Sequence, residues 1–135
     1  MNIKKSKTFR AVATFGLKRG YREDFISLEE FKLQLVAVQK MIFRRFNIHL
    51  STKIANCDIV FSGQDEPSVD ISFIQYPKFQ YDEVKLKESI LTLVEILMNA
   101  LEQNRVVVVF DDETFMLEKD KDQLDPGIDF KQSSE

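Results

Sequence analysis

The residues of this chain with the most evident chemical potential form an acidic cluster directly after an apolar run. Asp111, Asp112 and Glu113 follow the segment RVVVVF. Carboxylates that converge at the end of a buried strand are ligands that Mg²⁺ prefers, and Asp70 on another predicted strand adds a further oxygen donor. The sequence therefore predicts a metal site at Asp111, Asp112 and Asp70, or a hairpin turn in which Asp is common. The turn is favoured, because the spacing matches no metal-binding motif.

Basic residues give a second candidate site. Residues 1–53 carry twelve Lys or Arg against four acids, whereas residues 54–135 carry seven against eighteen. This asymmetry is typical of anion or nucleic-acid binding, but the two halves also neutralise each other if folding interleaves them. The candidate anion-binding residues are Lys18, Arg19, Arg22, Arg44 and Arg45. Nucleic acid is the less favoured partner, because the strands lack the basic, aromatic pattern of RNA-recognition modules.

Other catalytic residue types are sparse. His49 is the only histidine and Cys57 the only cysteine, which excludes an intramolecular disulfide and a zinc cluster built on cysteines. The four glycines do not match the spacing of a nucleotide-binding loop. We therefore predict no cofactor and assign no catalytic residue, and we favour a protein without enzymatic activity.

The first half of the chain contains two strand patterns that flank a helix. Apolar residues alternate with others over Thr8–Leu17, which predicts a strand. Ser27 and Glu30 have the spacing of a capping box and predict the start of a helix. Over Ile48–Ser62 the apolar positions change from one face to the other, which predicts a strand with a bulge or bend near Ala55 to Asn56.

The second half repeats this alternation of strand and helix. The segment GQDEP, residues 63–67, predicts a turn before a strand over Ser68–Tyr76. Asp82 is placed to cap a second helix, and Asn104 to end it in a left-handed conformation. Residues 106–110 then predict a strand, and residues 115–117 a short fifth one.

The element order βαββαβ predicts the α+β class and a ferredoxin-like domain over residues 1–117. Right-handed connections place both helices on one face of a four-stranded antiparallel sheet. At 135 residues and 44% hydrophobic content the chain has enough apolar side chains for one core. Residues 118–135 are charged and poor in apolar side chains, which predicts a flexible tail.

The uncovered face of this sheet leads to the functional prediction. It is expected to carry Val12, Thr14, Ile74 and Tyr76, and a half-apolar face of this kind is usually covered by a partner or a second copy. We therefore predict a non-enzymatic interaction module that is a homodimer or binds a protein partner. Two alternatives remain: a metal-dependent phosphoryl-transfer or nuclease-like enzyme using Asp111 and Asp112, and anion or nucleic-acid binding. With no signal sequence and no long apolar segment, we expect a cytoplasmic protein without a membrane partner.

Overall fold

The computed structural model describes residues 1–19 and 24–120. In chain order the elements are β1 (Ala11–Gly16), α1 (Leu28–Phe46), β2 (Ser51–Phe61), β3 (Gln64–Ile74), α2 (Glu83–Ala100), β4 (Arg105–Phe110) and β5 (Thr114–Glu118). The five strands form one sheet in the order β2-β3-β1-β4-β5, and every neighbouring pair is antiparallel. This architecture confirms the predicted α+β class and ferredoxin-like βαββαβ order, with β5 added at one edge.

Alternation along the strands separates a covered face of the sheet from an open one. In β1 the side chains of Ala11, Ala13 and Phe15 are fully buried, whereas the residues between them are partly exposed. The covered face and the apolar faces of both helices form a single core. Neither α1 nor α2, the helices of the described part of the chain, combines the length and hydropathy that crossing a lipid bilayer requires.

Helix α1 begins at the predicted cap but uses only half of the predicted capping box. The Ser27 hydroxyl accepts a hydrogen bond from the backbone N–H of Glu30 at 3.0 Å. The Glu30 carboxylate, expected to return to Ser27, instead accepts a hydrogen bond from the Arg19 guanidinium. The long Arg19 side chain brings a positive charge to this carboxylate, and a charge-assisted bond is stronger than one from a neutral backbone N–H.

Helix α2 also begins where the sequence predicts, and it ends earlier than expected. The Asp82 carboxylate accepts a hydrogen bond from the backbone N–H of Lys85 at 3.0 Å. The left-handed residue after the helix is Glu102, with φ of 55°, and not Asn104. The chain reverses at Glu102 because the backbone N–H of Gln103 already returns to the Met98 carbonyl, at 2.9 Å.

The β2–β3 hairpin differs most from the prediction. Its turn consists of Ser62 and Gly63, with φ of 53° and 77°, which is typical of tight two-residue hairpin turns. Pairing is unbroken from Ser51 opposite Ile74 to Phe61 opposite Gln64. The predicted turn over residues 63–67 is therefore wrong beyond Gly63, and Glu66 belongs to β3. The unbroken register also leaves no bulge near residues 55 and 56.

The change of face in β2 has another cause. Directly paired residues share a face of the sheet, so Ile54 lies on the covered face with Ile71, whereas Ile59 lies on the open face with Glu66. Strand β1 pairs only with residues 68–73 of β3, and the hairpin extends beyond it. In the half of the hairpin that extends beyond β1, the apolar side chains of β2 therefore lie on the open face of the sheet, which explains the change of face along the strand.

The end of the domain lies slightly beyond the predicted boundary. Glu118, placed in the tail by the sequence, is the last residue of β5. Lys119 continues the contact by donating its backbone N–H to the Asn104 carbonyl at 3.1 Å. The rest of the predicted tail, residues 121–135, lies outside the described residues.

Candidate functional site

A cavity of about 330 Å³ lies on the open face of the sheet, where β1 ends. All five strands and the connection between α2 and β4 contribute to its walls. The lining residues are Thr14, Gly16, Lys18, Ile59, Glu66, Gln103, Asn104, Arg105, Val107 and Met116. The volume falls within the usual range of small-molecule sites, at its lower end.

The carboxylate of Glu66 is the acidic group of this cavity. The Glu66 side chain is half-buried, and among the described residues none forms an ion pair with it. It lies directly over Gly16, where an added Cβ would overlap Glu66 Oε2 and stand 3.1 Å from Gln103 Oε1. The missing side chain at position 16 therefore makes the space that the carboxylate occupies.

The rest of the cavity combines an apolar wall with a basic rim. Val107 and Met116 are 38% and 58% exposed, although both are apolar. Lys18 and Arg105 bring positive charge, and Arg105 also pairs with Glu118 at 2.7 Å. A site with this lining suits a ligand that carries charges of both signs and an apolar part.

Gln103 holds the basic rim in place. Its side chain is 4% exposed. Its amide donates to the Lys18 carbonyl at 2.8 Å and to the Leu101 carbonyl at 3.3 Å. These bonds tie the end of α2 to the segment after β1, so that Lys18 is anchored through its backbone.

The predicted metal ligands at the β4–β5 turn have structural partners. Lys87 on α2 donates to Asp112 at 2.8 Å and to Glu113 at 2.7 Å. These two hydrogen bonds raise the pKa of Lys87 to about 12. The bond from Lys87 also lowers the pKa of Asp112. Asp111 accepts a hydrogen bond from the backbone N–H of Arg10 at 3.0 Å.

Asp70, the third predicted ligand, lies far from this turn. It pairs with Thr14, which pairs in turn with Val107, four residues before Asp111. Strand spacings place Asp70 about 16 Å from that turn. Within residues 1–19 and 24–120 no three potential ligand side chains come together for a metal ion. The three predicted ligands are therefore not brought together, because Asp70 lies on β3 and Asp111 and Asp112 lie between β4 and β5.

Asp70 instead belongs to a small polar group on the open face. It accepts a hydrogen bond from the Thr14 hydroxyl at 2.6 Å. Cys57 Sγ lies 3.8 Å from the same Asp70 oxygen. Burial, and then the charge of Asp70, raises the pKa of the Cys57 thiol. A thiol that stays protonated is a poor nucleophile, so this group does not point to cysteine catalysis.

Arg19, from the predicted anion-binding set, is engaged in ion pairs. It lies 3.3 Å from Asp24 and 3.6 Å from Glu102, and it bonds to Glu30. The hydrogen bond to Glu30 is the largest cause that raises the pKa of Arg19. Its charge therefore joins the segment before α1, the first turn of α1 and the connection after α2.

The other basic residues of that set do not form one patch. Arg44 and Arg45 are in the last turn of α1, about 25 Å from its first turn. Arg22 lies outside the described residues. Lys18 is the described member that lines the cavity. Sequence alone does not reveal these differences, because charge counts do not show which side chains are already paired.

The predicted interface residues divide between two regions. Pairing places Val12, Thr14 and Ile74 on the open face, as expected, and Thr14 also lines the cavity. Tyr76 follows β3 and lines a different cavity with Phe79. Self-association through this face stays a prediction.

Glu66 and Gly16 line the cavity but were not among the residues predicted for a site. Glu66 was assigned to a turn because Gly63 and Pro67 flank it, whereas the true turn ends at Gly63. The alternation of apolar residues in β2 did contain a sequence signal for this site. Its change of face places Ile59 on the side away from the helices, opposite Glu66.

Comparison with known proteins identifies the fold. No protein-family model and no curated protein sequence matches this chain. A solved phage SAM lyase in its apo state is 19% identical, has a TM-score of 0.66, and aligns over 82% of this chain and 89% of its own. A phage SAM lyase in complex with S-methyl-5′-thioadenosine is 18% identical, has a TM-score of 0.62, and aligns over 88% of this chain and 95% of its own.

This likeness establishes a shared fold, and it corrects the functional prediction. Both structures are lyases by name, which contradicts our prediction of a non-enzymatic interaction module. That prediction rested on the half-apolar open face of the sheet and on the absence of catalytic sequence motifs. Single residues that come together from five different strands, as around this cavity, leave no such motif.

Proposed function

We propose that this chain is an enzyme that cleaves S-adenosylmethionine and releases S-methyl-5′-thioadenosine in the cavity beside Glu66. The observation that carries the proposal is the half-buried Glu66 carboxylate, which faces the cavity without an ion-pair partner among the described residues. The fold supports it, because the similar structures are SAM lyases and one holds S-methyl-5′-thioadenosine.

The chemistry of the cavity fits this substrate. S-adenosylmethionine carries a sulfonium cation between an adenosine half and an amino-acid half. The attraction between a carboxylate and a cation is stronger in a partly desolvated site than in water, which favours Glu66 near the sulfonium or the ammonium. Lys18 and Arg105 match the α-carboxylate. Val107 and Met116 offer apolar surface to the S-methyl group.

The proposed reaction breaks the bond between sulfur and Cγ of the methionine chain. The electron pair of that bond stays on sulfur, and the sulfonium becomes a neutral thioether. Cγ replaces its lost bond to sulfur in one of two ways. Either the substrate's own carboxylate attacks Cγ and closes a lactone, or a base removes a Cβ proton and a double bond forms between Cβ and Cγ. Both routes balance without consuming water, as the name lyase implies.

Because sulfur loses its positive charge during the reaction, attraction between Glu66 and sulfur does little to lower the activation barrier. A carboxylate that only faces sulfur stabilises the bound substrate more than the transition state, and so lowers KM without raising kcat. Glu66 raises kcat if it accepts the Cβ proton or orients the ammonium, whose charge persists through the reaction. The separate effects of a Glu66 variant on kcat and KM distinguish these roles.

The test is turnover of S-adenosylmethionine by the purified full chain. Liquid chromatography with mass spectrometry should detect S-methyl-5′-thioadenosine above a protein-free blank, and the four-carbon product identifies the route. Glu66→Gln should lower kcat/KM by about a hundredfold or more, with an unchanged circular dichroism spectrum.

The matched control is Glu88→Gln. Glu88 is exposed on α2 and does not line the cavity, so this variant should retain full activity. A wild-type chain that releases no S-methyl-5′-thioadenosine, or a Glu66→Gln variant that is fully active, would contradict the proposal.

A further inference from the structure

A second cavity, also of about 330 Å³, adjoins the first. Lys18, Ile59 and Glu66 line both cavities. The Glu66 carboxylate therefore stands at the boundary between two compartments. A ligand that spans them would have its middle at Glu66 and one end in each.

The second cavity has aromatic walls. Phe25 and Phe61 line it and are 57% and 77% exposed. Two phenyl rings in one concave surface are an apolar area that a ligand would cover favourably. Aromatic side chains of this kind serve as platforms on which nucleic-acid bases stack.

Separate elements hold these two rings at the cavity. Phe61 is the last residue of β2 and pairs with Gln64 across the tight hairpin turn. Phe25 forms a β-bridge with Lys18 after β1. Backbone pairing fixes the positions from which both side chains extend, so less of the chain has to be ordered when a ligand binds.

We propose that this aromatic compartment binds the adenine base of S-adenosylmethionine and that the first cavity receives the amino-acid half. The inference rests on the proposed function and adds the orientation of the substrate. In this orientation the sulfonium, which joins the two halves, lies at Glu66.

The charges of the two compartments favour this orientation over its reverse. The first cavity contains Arg105 and no aromatic ring among its described lining residues, which suits an α-carboxylate. The second shares Lys18 with the first but adds Asp65 and two phenyl rings, so it suits an uncharged aromatic base better than a carboxylate. Reversal would place the negative end of the substrate beside a carboxylate.

The test compares two ligands across four variants, one of which is a control. S-methyl-5′-thioadenosine keeps the adenine but lacks the amino-acid half, and its binding is measured by isothermal titration calorimetry without turnover. Phe61→Ala should weaken its affinity by about tenfold and raise the KM for S-adenosylmethionine similarly. Arg105→Gln should raise that KM and leave the affinity for S-methyl-5′-thioadenosine unchanged, because this ligand has no carboxylate.

The matched control is Phe79→Ala. Phe79 is 63% exposed and lines a different cavity, so its replacement should change neither value. Phe25→Ala should repeat the effect of Phe61→Ala, which guards against a local effect of one hairpin residue.

The outcomes separate this inference from the proposed function. A wild-type chain that binds S-methyl-5′-thioadenosine through Phe61 but does not cleave S-adenosylmethionine supports the adenine site and refutes the lyase activity. If the wild type cleaves S-adenosylmethionine and both Phe→Ala variants bind S-methyl-5′-thioadenosine with unchanged affinity, the adenine site is overturned and the lyase activity stands. A wild-type chain with no affinity for S-methyl-5′-thioadenosine also overturns it.

Discussion

The turn between β4 and β5 and the first half of β3 both carry carboxylates, but their surroundings differ. At the turn, Lys87 donates hydrogen bonds to Asp112 and Glu113. In β3, Glu66 is half-buried over Gly16, and no ion pair reaches it from the described residues.

The difference shows that acidic density along a sequence is a poor guide to an acidic site. Three consecutive carboxylates favour a turn, where water and a neighbouring lysine satisfy them. A carboxylate that acts on a ligand needs a concave, partly desolvated position with unused charge. Glu66 meets this condition as a single acid on a strand, brought into place by pairing with a distant segment.

The largest change in activity is expected from a variant that displaces the Glu66 carboxylate but keeps its charge. Gly16→Ala should lower kcat/KM for S-adenosylmethionine by roughly a hundredfold, because the new methyl group displaces the carboxylate from its position. The fold should survive, since the overlapped atom is at the end of a flexible side chain. Steady-state kinetics and thermal unfolding of the same preparation provide both readouts.

Gly63→Ala is the matched glycine control and should show the opposite pattern. Gly63 has φ of 77°, and an added Cβ there has no neighbour within 4 Å. Alanine at this left-handed position should cost about 1 kcal/mol of stability and leave kcat/KM unchanged. Equal activity of the Gly16→Ala variant and the wild type would mean that the position of Glu66 over Gly16 does not matter.

A second variant tests whether the open face around Glu66 is covered by another copy of the chain. Val12 lies on that face, opposite Ser72 and Val109. If self-association uses this face, Val12→Lys should convert an oligomer to a monomer, because burying an unpaired ammonium is unfavourable. Light scattering coupled to size-exclusion chromatography measures the mass.

The control for that variant is Val84→Lys. Val84 is 76% exposed on α2, so a lysine there should leave the mass unchanged. A wild-type chain that is monomeric at all concentrations would remove the prediction of self-association.

The smallest effect is expected at the β4–β5 turn, where Lys87→Met should leave turnover intact and lower the unfolding temperature by a few degrees at most. Because the pKa of Asp112 is lowered, its contribution is present above its unfolded pKa and is lost as pH falls through the folded value. Because the pKa of Lys87 is raised to about 12, its contribution is present below its unfolded pKa and is lost as pH rises toward that value.

Thermal unfolding as a function of pH measures this contribution. The difference between wild type and Lys87→Met should be present at pH 7 and vanish in strong acid. Lys85→Met, at an exposed position on the same helix, should follow the wild type at every pH. A large loss of turnover in the Lys87 variant would mean that the turn participates in the reaction.

Local sequence patterns predict most of this fold correctly because its elements depend on local rules. The alternation in β1 and the caps at Ser27 and Asp82 each depend on residues within a few positions. The βαββαβ order then leaves few ways to cover one face of a sheet. The β2–β3 turn was misplaced because Gly63 and Pro67 both signal turns, and only cross-strand pairing decides between them.

The site was not predictable in the same way, because its residues meet only through pairing across the sheet. Gly16 and Glu66 are fifty positions apart in sequence, and Gly16 gains its role only when Glu66 lies above it. Lys18 was proposed for its charge and does line the cavity, whereas Arg19 carries the same charge and is bound in ion pairs. Which charged side chains form ion pairs and which line a cavity is decided only by the packed structure.

The span of the cavity along the chain has a consequence for biosynthesis. Glu66 and Phe61 belong to a hairpin of short sequence separation, which forms early and locally. The opposite wall, including Val107 and Met116, comes from β4 and β5. A chain that has left the ribosome only as far as β3 therefore carries the acidic and aromatic groups without an enclosed site. The first cavity is enclosed only after the C-terminal strands join the sheet, so a ligand that fills it would stabilise completed chains selectively.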